Sequence, residues 1–345
     1  MGKERAEIDR KEIQLVGDCA KDAKCLRWSD RMKERDTAID ILKLFAVLCV
    51  INSHMDVCYP GRWSVLASGG AIGDALFFFC SGYTLFLGRM DGFVPWMKRR
   101  LWRVLPATLL CVGVFALWYG GEWWGRTGGY WFIRCILIYY VVVYMIRKWL
   151  MNRLGLVFGV LCAAILIWFY GCYDQRIGIY SGHCIMWLHY FVPMLMGACL
   201  GMRNDHLPKN GFVYLPLLLL STVIYFAGCF LTRTYVAFQP LTLPFLWAIM
   251  YFGCMTAKCP TVNRLFAIGF VRWGIMAVGG LCLEVYLSHR PFLTDALNGL
   301  FPLNVPLLFV AMLLLAYGVR CVTRFTVQSL QWQVRYDWQA ILKVI

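Results

Sequence analysis

Charge is what this chain has least of. Only 15% of its 345 residues are charged, against about a quarter in an ordinary soluble domain, while 60% are apolar. Mean hydropathy is +0.61. The charge that remains is lopsided, with 19 carboxylates against 34 Lys and Arg and a net +15, and only five histidines are present. The sixteen cysteines contain no Cys-x-x-Cys pair and no zinc-site spacing. They are scattered through apolar runs, where reduced thiols pack as small hydrophobes, and the chain is too long and apolar for a disulfide-stapled secreted scaffold. The first 37 residues hold no apolar core of the kind a cleavable signal carries, so targeting is expected to come from the first membrane helix. Neither an internal repeat nor an appended soluble domain is visible.

What is abundant is apolar sequence in evenly spaced runs. A helix needs about 20 apolar residues to cross a hydrocarbon core of roughly 30 Å. Ten segments qualify: 38–58, 71–89, 103–120, 128–146, 154–172, 183–202, 211–231, 241–257, 270–290 and 303–323. The fold class read from this is all-α, a polytopic membrane bundle of about ten transmembrane helices. Three parts follow: a basic arm over 1–36, a ten-helix domain over 37–324 and a tail over 325–345. In the tail Val327, Leu330, Val334, Trp338, Ile341 and Ile345 recur at spacings of three and four, which suits either a helix lying on the membrane surface or one packed on the bundle.

An even number of spans puts both termini on one side, and charge says which. Most of the basic residues fall in the head, around Arg89–Arg103 and Arg147–Arg153, at Arg203 and Lys209, between Lys258 and Arg272, and in the tail. The opposite loops hold Arg62, Arg126, Arg176, Arg233 and Arg290. The positive-inside rule then makes both termini cytoplasmic, with the plasma (inner) membrane as the expected location. Dispersed over short loops in this way, the +15 charge forms no nucleic-acid footprint; the basic arm suits anionic membrane lipid or a solvated segment equally.

Ionisable groups inside apolar spans are costly and are default site candidates. The first span is richest, with Asp40, Lys43, Asn52, Ser53 and His54. Lys43 and His54 are eleven residues apart, which on a helix is about 20° past three turns and about 16 Å along the axis. They share one face, Lys43 toward the cytosol and His54 toward the outside, although Lys43 also suits snorkelling or pairing with Asp40. Asp74 falls near the outer end of the second span and Ser81 near its middle. His183 and His189, about 120° out of phase, are read as interfacial. Glu284 and His289 lie about 140° apart, so a straight helix would not serve one cavity with both. The basic run Lys98-Arg99-Arg100-Leu-Trp-Arg103 is expected in the loop between spans two and three, where guanidinium forks suit phosphate but positive-inside anchoring explains the charge as well.

Taken in order, these stretches resemble acyltransferase family 3, membrane enzymes that O-acylate polysaccharides and lipids. Asp40-Ile-Leu-Lys-Leu-Phe-Ala and Val50-Ile-Asn-Ser-His54 resemble its first helix. Phe77-Phe-Phe-Cys-Ser-Gly-Tyr83 resembles its second, Arg99-Arg100-Leu-Trp-Arg103-Val-Leu-Pro106-Ala its basic loop, and Tyr130-Trp-Phe-Ile133 the opening of its fourth. Glu284-Val-Tyr-Leu-Ser-His289-Arg-Pro-Phe292 resembles its late Tyr-Leu-x-His-x-Pro-Phe element. The departure is Lys43, where the family often has arginine; lysine keeps the charge and loses the planar fork. The resemblance implies transfer of an acyl group, acetyl in the first instance, from cytosolic acyl-CoA to a hydroxyl of a glycan or glycolipid. It implies no resident cofactor and no metal. His54 would be the base or, alternatively, a covalent nucleophile, with Lys43 beside it; Arg99, Arg100, Arg103 and Ser81 would bind the donor. Asn52, Ser53, Asp74, Glu284 and His289 would orient groups or meet the acceptor. The competing expectation is a proton-coupled transporter or flippase using His54 and Glu284 as relays, against which stands the lack of repeated halves.

Orientation is open to a direct test. Cysteines introduced next to Arg126 and Arg176 should react with an impermeant reagent from outside, and those next to Lys98 and Lys209 only from the cytosol. One clean reversal would break the ten-span topology.

Overall fold

A computed structural model describes residues 36–344 except 89, 91, 127–129, 173–177, 181–182, 203–212, 267 and 331–334. The basic arm before Asp36, Arg89, Arg176, Arg203, Lys209, Val334, Ile345 and the side chain of His183 lie outside the described residues. The helices are α1 (Thr37–His54), α2 (Gly70–Leu87), α3 (Phe93–Tyr119), α4 (Trp131–Met145), α5 (Leu154–Gly171), α6 (His183–Met202), α7 (Tyr214–Leu231), α8 (Leu243–Ala257), α9 (Gly269–Gly280), α10 (Cys282–Ser288) and α11 (Asn304–Leu330). No strand occurs among the described residues. The thirteen described cysteines are all free thiols.

Eight helical stretches are long and apolar enough to cross a membrane, or nine if Pro260–Phe266 and α9, bent by 92°, count as one. The all-helical membrane bundle is therefore what folds; the difference from ten spans arises at two interruptions. The expected fourth and fifth spans fall within one run of 41 residues, Trp131–Gly171, about 60 Å if straight and twice the hydrocarbon thickness. Its ladder is broken between Ile146 and Arg153, where Leu150 and Arg153 leave helical dihedrals (φ −118° and −123°). The expected ninth span is cut at Leu281 into α9 and α10. Apolar side chains project outward from the bundle, Leu117 at 90% and Ile167 at 73% exposure, as helices facing lipid require.

α1 and α2 form the centre. α1 packs along α2, α8, α9 and α10, and α2 packs most closely on α6. Glycine makes that last crossing possible: a Cβ on Gly82 would collide with the Met194 carbonyl, and one on Gly197 with the Phe79 carbonyl. Gly82 of the Phe77–Tyr83 motif is thus needed for backbone-to-backbone approach, the usual use of small residues in membrane helices.

Two elements differ from expectation in ways that bear on the site. The Lys98–Arg103 run is not in a loop. It lies in the first three turns of α3, whose 27 residues begin at Phe93 with Pro95 in the opening turn, a position where the missing N–H costs nothing. The tail is not one continuous helix either. α11 carries Val327 and Leu330, while Trp338–Leu342 is a separate short helix with Ile341 buried at 2% exposure.

Gly82→Ala should lower the thermal midpoint in detergent, since overpacking costs about 1–3 kcal/mol even where side chains can yield. Gly159→Ala, where a Cβ meets nothing within 4 Å, should leave it unchanged. Equal melting of the two variants would refute the close crossing.

Candidate active site

The last turn of α1 carries Asn52-Ser53-His54, and two of the three are occupied by local structure. The Asn52 amide donates to the carbonyls of Leu66 (2.7 Å) and Ser68 (3.1 Å) and accepts from the Tyr59 hydroxyl (2.6 Å). Burial holds the Tyr59 phenol above its ordinary pKa, so it remains a donor. Ser53 donates back to the Val50 carbonyl (2.8 Å). These bonds fix the segment that leaves the helix. His54 is different: half-buried, it makes no hydrogen bond to a described residue, and its ring stacks on His289 with centroids 5.1 Å apart and planes 23° apart.

His289 terminates α10 and is 2% exposed. Its Nδ1 lies 2.8 Å from the Tyr286 carbonyl and 3.3 Å from that of Val285. Carbonyls only accept, so Nδ1 bears the proton and Nε2 holds a lone pair. Nε2 is buried and has no partner among the described residues. Aromatic residues fix this end of α10. Tyr130 donates to the Leu287 carbonyl (3.1 Å) from a left-handed backbone conformation (φ 46°), unusual for a bulky residue, and Tyr286 packs against Phe132 (5.3 Å). Asp74 lies within electrostatic reach of Tyr190 and Tyr286, so it faces the phenols of α6 and α10. His189 packs on Tyr190 (4.1 Å) and Tyr180 (5.4 Å), outside the histidine pair.

Lys43 lies on the same face of α1, against α9: a Cβ on Gly279 would sit 3.4 Å from its Cβ. It is within electrostatic reach of Cys80 and Cys282 and forms no ion pair or hydrogen bond with a described residue, Asp40 included. Ser81 is half-buried on α2. Glu284 goes elsewhere. α10 is regular between Glu284 and His289, so the angular separation read from sequence holds. Its carboxylate turns to α11 and is gripped by Arg320, Nε to Oε1 at 3.1 Å and Nη2 to Oε2 at 3.0 Å. His54, His289 and Lys43 are brought to one strip; Glu284 is directed away from it.

At the opposite end stands the basic stretch of α3. Arg100 and Arg103, at i and i+3, share a face. Arg100 lies over the Trp96 ring (5.0 Å) with its Nε buried and unpartnered among the described residues. Arg99 and Arg103 are exposed, and Arg103 reaches electrostatically to Tyr140 and Cys282. Arg147, on the 146–153 break, donates to the Leu85 carbonyl at the end of α2 (2.8 Å) and lies near Arg100. Arg100, Arg103 and Arg147 form no ion pair with a described carboxylate. Guanidinium groups left unneutralised together form an anion-binding surface. No three of the described His, Cys, Asp and Glu side chains are grouped to hold a metal.

Sequence reasoning missed Arg320, because it reads as one more cytoplasmic-side cation. It also missed the supporting phenols of Tyr130, Tyr190 and Tyr286, because tyrosine inside an apolar run carries no signal of a partner on another helix.

Comparison with curated proteins and with solved structures finds no match. The family comparison does: residues 36–323 match an acyltransferase domain, which spans every element that builds the histidine pair and the basic helix, and the chain belongs to acyltransferase family 3.

Proposed function

We propose that this membrane acyltransferase takes an acyl group, acetyl first among the candidates, from cytosolic acyl-CoA and transfers it to a hydroxyl of a glycan or glycolipid at the outer half of the membrane. The reading rests on one arrangement: a half-buried histidine stacked on a second ring at one end of a helix face, and the Arg100 and Arg103 guanidinium groups, without a carboxylate partner among the described residues, at the other, with Lys43 between. Both termini cytosolic, in the plasma membrane, is part of the same proposal, as is membrane lipid as the surrounding partner.

Physical chemistry supplies the route. The phosphates of coenzyme A are too polar for hydrocarbon and stay with Arg99, Arg100 and Arg103, while the apolar-walled arm extends past Ser81 and Lys43. The thioester carbonyl then lies near His54. His54 takes the proton of the acceptor hydroxyl as that oxygen attacks the carbonyl carbon, and Lys43 supplies positive charge along the strip. Collapse of the tetrahedral intermediate breaks the C–S bond, and the leaving thiolate receives the proton held by His54. One proton and one acyl group move, and no resident cofactor is required. In neutral His289 the backbone carbonyls hold the proton on Nδ1, and the bare Nε2 accepts a hydrogen bond from the acceptor or a water. Asn52, Ser53 and Asp74 act by holding the helix ends in place.

His54→Gln should lower turnover by roughly 10²–10⁴-fold with membrane insertion intact; activity above about a tenth of wild type would remove His54 as base. Arg100→Gln and Arg103→Gln should raise the donor KM by about one to two orders of magnitude, given about 1.5–3 kcal/mol per charge-assisted bond, and change acceptor KM less. Arg264→Gln, exposed on the same expected face, should change neither. The assay is acyl-CoA titration in proteoliposomes with CoA release followed by a thiol reagent. Unaltered donor affinity in both α3 variants would reduce the basic turns to a topology anchor and favour a transporter.

A further inference from the structure

The break at Leu281 leaves carbonyl groups at the end of α9 without ladder partners, and one side chain of α11, the helix packed against α10, meets that of Gly280. Arg320, in the middle of α11, donates through Nη2 to the Gly280 carbonyl and through Nε and Nη2 to the Glu284 carboxylate. A single guanidinium thus holds the last residue before the break and the first turn after it. The placement suits both ends: a cation at the C-terminus of α9, and its carboxylate partner in the opening turn of α10. The remaining nitrogen, Nη1, donates to the Val344 carbonyl (3.1 Å).

That last bond brings in the C-terminal segment. Arg324 donates to the carbonyls of Ala340 (3.0 Å), Ile341 (3.4 Å) and Lys343. Tyr317 donates to Leu342 (2.8 Å), and Gln328 accepts from the Asp337 amide (2.9 Å). Residues 337–344 are therefore fastened to α11 through Gln328, Arg324, Tyr317 and, at Val344, Arg320. Four of the five N–H directions of Arg320 meet an acceptor, and the fourth, to Val344, does so only while the segment is seated.

We propose that Arg320 is a positioning residue for the acyl transfer: by clamping Gly280 and Glu284 across the helix break it sets where α10 presents His289 to His54, and the C-terminal segment braces it. The pair is 12% and 11% exposed, so neither charge can be released into water at little cost. A change at Arg320 should be felt as misplacement of a ring five residues beyond Glu284. This rests on the histidine strip being the reacting end.

The test uses the full chain in detergent with two readouts, acyl-transfer kinetics and hydrogen exchange of residues 281–290 by mass spectrometry. Arg320→Gln should lower kcat by about 10- to 100-fold, the scale of a misplacement near 1 Å, with donor KM within about threefold, and should raise exchange in 281–290 about tenfold while α6 and α7 are unchanged. Glu284→Gln should do the same, and the double variant should be no worse than the worse single. Arg320→Lys, which keeps the charge and loses the fork, should recover part of both effects. The pair Tyr317→Phe with Arg324→Gln releases the tail without touching Arg320; it should cost roughly three- to tenfold in kcat and nothing further in the Arg320→Gln background. Unchanged exchange in 281–290 on loss of Arg320, or a tail-release effect that is equal with and without Arg320, would overturn the proposal. A wild-type protein that turns over no acyl-CoA would refute the proposed reaction, while the exchange data would still decide whether Arg320 fixes α10.

Discussion

Two glycines determine how close anything can come to α1. On one side a Cβ at Gly73 would press on the Ala46 carbonyl (2.8 Å) and Val50; on the other, a Cβ at Gly279 would crowd the Asp40 carbonyl (3.2 Å) and Lys43. Hydrophobic driving force between helices is weak in lipid, and association rests on packing and on polar contacts. Close approach at these two points therefore sets the depth at which α2 and α9–α10 meet α1. Stacking at 5.1 Å between His54 and His289 is available only if the helix carrying His289 lies this near; a wider crossing would leave two separate imidazoles in apolar surroundings.

How far this was legible in the sequence depends on whether a residue announces itself alone. His54, Lys43, Asp74, Glu284 and His289 stand out because ionisable groups are rare in apolar spans, and two of them do share a stripe with His289. Partner choice is another matter. Glu284 reads as a relay or acceptor contact until Arg320 is seen on the neighbouring α11, and nothing in a spacing of thirty-six residues marks that pairing. The angular argument that Glu284 and His289 diverge on a straight helix is sufficient to separate them; the break of this segment lies before both residues, at Leu281, and leaves that angle unchanged. The basic run of α3 was legible as charge and not as helix, since positive-inside loops and amphipathic helix starts have the same composition. The tail's three- and four-residue spacing spans Leu330 and Trp338, which belong to different helices, so its periodicity described two elements as one.

The two ends of the strip satisfy opposite demands. The basic end must hold multiple negative charges against water, so Arg100 and Arg103 have no carboxylate partner among the described residues, and Arg100 is partly held on the Trp96 face. The histidine end uses imidazole, phenol and amide: Asn52, Tyr59 and Tyr130 are bonded to backbone or to one another, while the His54 ring and His289 Nε2 have no hydrogen-bond partner among the described residues. Between them the Glu284–Arg320 pair places a fixed dipole where neither end needs a free charge. A buried carboxylate that is bonded on both oxygens costs less than an unpaired one, and Glu284 is so bonded by Arg320.

That division also bears on the stacked histidines. Two imidazoles with centroids 5.1 Å apart repel strongly if both are protonated, because like charges at this range in a poorly solvated site raise the energy of the doubly charged state. With one proton per pair the repulsion vanishes, and the neutral ring can present its π face to the cationic one. His289 is the less solvated ring, 2% exposed, and the Tyr286 carbonyl fixes its Nδ1 as the protonated nitrogen of the neutral form. His54, half-buried and without other hydrogen bonds, is the ring left to change charge. A proton taken from an acceptor hydroxyl then has one place to reside and one productive exit, the thiolate of the departing coenzyme. The same stack that lends His54 support as a cation denies the site a second proton.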